Sequence, residues 1–248
     1  MDTAIDIGNQ NDSDLAISYL TLRKMIGWIG LLMPFVVRLG ALYLEQISTQ
    51  DSISAYYYTR MHDIFVSTLV LVGILLTCYR SRRLIDNIVT IVAGLSAIGI
   101  GLFPMDVTFA PQICDRYPAM CRAARLAPEI CARCPEACDP RANACYVIHG
   151  ILGYHFLFVV LFFATAFFLV YFNFTLPTSA TAQKRTRNKI YRICAALMAI
   201  AFVAIGILFW RMHGRYIFWP ETVAVVAFGI AWLAKGQAFL KDPSLSAA

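Results

Sequence analysis

The residues of this chain best suited to chemistry are few and far apart: His62 and Asp63, His149 and His155, and the ionisable Arg38, Asp106 and Glu221, with Tyr57 close to the first pair. Imidazole is the commonest metal ligand, so one available chemistry is a divalent metal, zinc or another, held by His62, Asp63, His149 and His155. Metal-bound water would be the nucleophile of a hydrolase and Asp63 its base. Spacing restricts this reading. His149 and His155 are six residues apart and diverge by about 240° around a helix, while adjacent His62 and Asp63 diverge by about 100°. One ligand from each pair is the workable set. The sequence has neither HExxH nor GxSxG, the patterns that would support metallopeptidase or serine-hydrolase chemistry. The other chemistry is ionic recognition, with Arg38, Tyr57, Asp63, Asp106, His155 and Glu221 forming a polar site for a small solute, an ion or a lipid.

Those residues sit at the ends of, or within, long apolar runs. The chain of 248 residues is 59% hydrophobic and only 15% charged, with a mean hydropathy of +0.64, whereas soluble domains carry about a quarter charged residues. Six apolar segments, at 25–44, 62–79, 88–105, 148–172, 191–210 and 218–240, are each near the roughly 20 residues a helix needs to cross a bilayer. Backbone in lipid must bond to itself, so the expected fold is all-α, a polytopic membrane protein built as a six-transmembrane-helix bundle. The formal charge of +6 is scattered beside apolar runs, which argues against nucleic acid as a partner.

Loop charges give the threading. Arg80, Arg82 and Arg83 separate the second and third segments, and Lys184, Arg185, Arg187, Lys189 and Arg192 separate the fourth and fifth. These clusters favour the cytoplasm. The expected organisation is a cytoplasmic segment 1–24, helices one to three over 25–105, an extracytoplasmic loop 106–147, helices four to six over 148–240 and a cytoplasmic tail 241–248. The first twenty residues carry no lysine or arginine, which is not the start of a cleavable signal peptide.

Six of the eight cysteines, Cys114, Cys121, Cys131, Cys134, Cys138 and Cys145, fall in the 106–147 loop. In an oxidising compartment they are disulfide candidates, with fifteen complete pairings open. "CARCPEAC" read as a thiolate metal cluster is the rival. The loop could also present a surface to a protein partner.

Other features have ordinary explanations. Tyr56, Tyr57 and Tyr58 suit interfacial anchoring. Glu221 after "WP" suits a helix start. Asp86 and Asn87 read as caps before the third helix, Lys235 as a snorkelling cation, and "AGLSAIGIG" and "AIGILF" as close helix interfaces. Arg38 is about 20 Å along the first span from residue 25. An ionisable group there implies a partner, with Asp63, Asp106 and Glu221 the available acids.

The combination "SISAYYYT" with "HDIFV", then "DN" and "AGL" in the third span and "LFP" at its end, resembles an uncharacterised family of small bacterial multi-pass membrane proteins. Members usually carry arginine where His62 stands. The resemblance implies a multi-pass protein of the bacterial inner membrane and no activity, while the loop charges place both termini in the cytoplasm. Three function classes remain open: binding or movement of a small solute, ion or membrane lipid; a non-catalytic scaffold or accessory subunit; and a metal-dependent intramembrane hydrolase.

Overall fold

The computed structural model describes residues 2–81, 83–105, 154–175, 182–212 and 216–240, with side chains from Tyr19 onward. The described elements are all helical: α1 (Asp2–Glu45), a 3-10 turn (Ser54–Tyr58), α2 (His62–Cys78), α3 (Leu84–Leu102), α4 (Tyr154–Phe168), α5 (Ala182–Met212) and α6 (Phe218–Lys235). The last turn of α4 widens into a π-helix at Leu169–Asn173. Five stretches are long and apolar enough to cross a membrane: Tyr19–Glu45 of α1, α3, Tyr154–Asn173, α5 and α6. With 17 residues, α2 sits at the short end of spanning length. Leu32, Val36 and Leu39 on α1 and Ile200, Val203 and Ile207 on α5 are exposed, an apolar exterior that acyl chains solvate and water would not. The chain is an all-α polytopic membrane protein.

Small residues set the helix arrangement. α6 buries Ala224, Ala227, Gly229, Ala231 and Ala234 along one side and packs against both α1 and α5. At the α1–α6 crossing, a Cβ on Gly229 would lie 2.8 Å from the Gly27 carbonyl oxygen, and one on Gly27 would lie 2.9 Å from that of Gly229. The α2–α3 crossing repeats the device: Gly73 and Gly94 each leave 2.6 Å between a would-be Cβ and the other's carbonyl oxygen. Such backbone proximity is what small residues allow in lipid, where apolar burial alone does not drive helices together. α3 packs on α4 and α1 on α2, whereas α5 packs on the π-turn that ends α4 and touches Tyr154–Phe168 only sparsely. The helices therefore form a circuit, α5–α6–α1–α2–α3–α4, with one loose seam.

The structure redraws several expectations. α1 runs without interruption from Asp2 through the expected segment 1–24. α3 begins at Leu84, so Asp86 and Asn87 lie in its first turn, where they accept bonds from the Ser81 hydroxyl (2.9 Å) and the Ser81 N–H (2.6 Å). The expectation of a disulfide-bonded protein is also corrected. Cys78, exposed at the end of α2, and Cys194, buried in α5, are free thiols, and no disulfide is found among the described residues. The six loop cysteines, with Asp106 and His149, lie outside the described residues.

Candidate functional site

The polar segment between α1 and α2 turns in against the helices. Residues 50–57 are all buried, folded inward as a plug over one end of the bundle. The plug is bonded to each element around it. Asp51 O accepts the Phe218 N–H at 2.7 Å, which satisfies an amide at the start of α6 that the helix leaves free. Glu221 Oε2 accepts the Ile53 N–H at 2.6 Å, and the Tyr58 hydroxyl donates to Met105 O at 2.5 Å beyond the end of α3. Tyr56, fully buried, receives the Gln50 N–H on its phenolic oxygen at 3.3 Å. Burial pushes this phenol above its ordinary pKa of 10.0, outweighing the Gln50 bond and the Arg38 charge, which both lower it. Tyr56 and Tyr57 are therefore core residues of the plug and not interfacial anchors.

Beneath the plug stands His155, in the first turn of α4 and 3% exposed. Its Nδ1 lies 2.8 Å from Phe103 O. A carbonyl only accepts, so Nδ1 carries the proton and Nε2 presents its lone pair. The group 3.1 Å from Nε2 is the Ser54 hydroxyl, which donates to it. Ser54 is held on both sides: the Ile53 N–H is tied to Glu221, and the Ala55 N–H donates to Ser52 Oγ at 3.1 Å. Ser52, Ser54, His155 and Glu221 together form the polar end of a cavity of about 190 Å3. Its remaining walls are apolar, from Phe156, Val159 and Val160 of α4 and Phe202, Ile205 and Phe209 of α5. The cavity thus occupies the loose α4–α5 seam.

Gly206 also lines this cavity, and a Cβ built on it would meet nothing within 4 Å. The expectation that "AIGILF" makes a close helix interface fails at this residue, whereas Gly94 and Gly99 of "AGLSAIGIG" meet α2 and the Phe158 ring.

Among the described residues expected to form the polar site, His155 and Glu221 alone line the cavity. Arg38 turns to neutral groups, its Nε donating to Thr49 Oγ1 at 2.7 Å and its guanidinium lying 5.6 Å from the Trp219 ring centre. Asp63 is exposed in the first turn of α2. Tyr57 stacks edge-on against His62 at 4.3 Å, and His62 Nδ1 lies 2.9 Å from Tyr57 O, to which it donates. No group of three or more histidine, cysteine, aspartate or glutamate side chains placed to hold a metal occurs among the described residues.

At the opposite end, four cationic residues gather. Lys184 Nζ donates to Phe174 O at 3.0 Å, Arg187 to Leu240 O at 2.8 Å and Arg23 to the Tyr79 hydroxyl at 3.2 Å. Lys235 Nζ sits 4.9 Å over the Phe174 ring, so it is packed against an aromatic instead of snorkelling free. Trp232, fully buried, meets both Tyr79 and Phe174 edge-on.

The sequence assigns no role to Ser52 or Ser54, and it casts Gly206 as a helix interface and not as a cavity wall. Ser54 and His155 are 101 residues apart, on either side of segments whose packing no spacing rule supplies. The available signal was the position of "SIS" in the same polar stretch as the tyrosines.

Fold and site define a multi-pass helical membrane protein with a plugged end and, at one seam, an apolar cavity that carries a few polar groups at its plug end. In comparisons with known proteins, no family model, curated sequence or solved structure matches the chain.

Proposed function

We propose that this protein is a six-helix membrane protein that takes an amphiphile from the bilayer through the α4–α5 seam, seating its polar group against Ser52, Ser54, His155 and Glu221. The observation that carries this reading is the cavity itself: polar at the plug, apolar along both helices, and placed along Tyr154–Phe168, where α4 touches α5 only sparsely. Size supports part of a lipid as occupant. Cavities of about 150 Å3 hold a benzene ring, whereas whole drug-sized ligands need about 300 Å3 or more. A site of about 190 Å3 therefore suits the linkage between a headgroup and its chain, with the rest of the chain left in the membrane. The basic residues at the other end of the bundle, Arg80, Lys184, Arg185 and Arg187, support a cytoplasmic placement for that end. The cavity then opens in the outer leaflet, with both termini inside. The test is photochemical capture of a diazirine-tagged phospholipid, whose labels are expected on α4 and α5 at this seam.

A further inference from the structure

We propose that Ser54 and His155 are a nucleophile and general base for acyl transfer from an ester-linked membrane lipid to water, a reading that rests on the lateral amphiphile site above. A structural histidine needs only to have both nitrogens satisfied, and a closed, packed environment would serve. Here the pair borders a cavity, and its bond directions are those of catalysis. The Phe103 carbonyl fixes the proton on Nδ1 at 2.8 Å and leaves Nε2 to accept the Ser54 hydroxyl at 3.1 Å. Nucleophile, base and a third group that orients the base is the arrangement by which a weak hydroxyl is activated. The carbonyl takes the orienting place that a carboxylate holds in the familiar triad. Recognition by role and geometry does not require GxSxG.

The reaction balances with water as the co-reactant. Ser54 Oγ bonds to the ester carbonyl carbon while its proton passes to His155 Nε2. The C–O bond to the alcohol breaks, and the proton on Nε2 goes to the departing oxygen. Water, deprotonated by the same Nε2, then attacks the acyl-Ser54 ester, and the proton returns to Ser54 as a free acid leaves. Glu221 is a positioning residue in this scheme: its Oε2 bonds the Ile53 N–H at 2.6 Å and fixes the backbone one residue before the nucleophile.

The test uses the full chain in mild detergent with a long-chain alkyl fluorophosphonate, which phosphonylates an activated serine and releases fluoride. The expected result is one adduct per chain, mapped to Ser54 by peptide mass, absent in Ser54→Ala and at least about 100-fold slower in His155→Gln, as loss of a general base requires. Glu221→Ala is expected to slow labelling and Glu221→Gln to restore it, since the amide oxygen still accepts the Ile53 N–H. Circular dichroism and the melting point of each variant confirm folding. No adduct on Ser54, or equal rates with and without His155, overturns the pair. Phospholipid capture run in parallel separates the two readings. Seam capture retained by a protein that fluorophosphonate leaves unlabelled refutes the chemistry alone, and capture without seam preference refutes the site as well.

Discussion

Two glycines that look alike in sequence are expected to respond oppositely to the same methyl group. Gly94→Ala puts a Cβ 2.6 Å from the Gly73 carbonyl oxygen and 2.6 Å from Thr77 Cγ2. One of these is backbone of the facing helix, so the crossing must open by most of an ångström. Overpacking of this kind costs about 1–3 kcal/mol. Gly206→Ala adds the same methyl where nothing lies within 4 Å. It recovers the backbone entropy a helical glycine gives up, about 0.5–1 kcal/mol. For a chain of 248 residues, 1 kcal/mol moves the midpoint by about 2–4 °C. Thermal unfolding in one detergent, followed by circular dichroism, should show Gly94→Ala lower by about 2–12 °C and Gly206→Ala equal or higher by up to about 4 °C. Comparable destabilisation of both variants would refute the helix circuit with its open α4–α5 seam.

The neutral partners of Arg38 make a second contrast. Thr49→Val is expected to cost about 1.5–3 kcal/mol by stranding the guanidinium bond, while exposed Asp63→Asn stays within about 0.5 kcal/mol; chemical denaturation of both variants checks this, and the reverse order would restore the ion-pair reading. Tyr56 gives a pH dependence. Its folded pKa is raised above 10.0, so its contribution is complete below that value and is lost as pH rises through the folded pKa, because the unfolded chain releases the phenolic proton first. Melting points between pH 8 and pH 12 should fall less steeply in Tyr56→Phe than in the parent chain, and parallel curves would contradict the buried phenol.

The fold was legible because hydropathy measures what a bilayer demands. Apolar runs of about 20 residues located each described α-helix, although helix ends moved: α1 continues back to Asp2 and α5 starts at Ala182, where polar residues prolong a helix beyond the greasy part that composition detects. The site was legible only in outline. The plug's stretch stands out as polar, and His155 and Glu221, expected in one polar layer, both line the cavity. Arg38 is expected to meet an acid because an ionisable group in a span needs a partner; among the described residues its guanidinium meets a hydroxyl and an indole face, and sequence does not rank these. The tyrosines read as anchors because a phenol at a helix end suits the interface; inward folding of residues 50–57 depends on bonds to Phe218, Glu221 and Met105, all remote in the chain. Ser54 carries no mark beyond its place in that polar stretch, since its hydrogen-bond partner is a histidine on another helix.

The most direct test of the central claim is residue-level mapping of photolipid adducts on protein reconstituted in phospholipid vesicles containing a diazirine-tagged phospholipid, comparing the parent chain with Gly206→Phe. Leu32, Val36 and Leu39 on the exposed face of α1 serve as the control for bulk lipid contact. The site described here requires adducts concentrated on His155–Val160 and Phe202–Phe209 of the parent chain and lost from those residues in Gly206→Phe, with α1 labelling unchanged. Uniform labelling of every exposed apolar face, unaffected by Gly206→Phe, would contradict it.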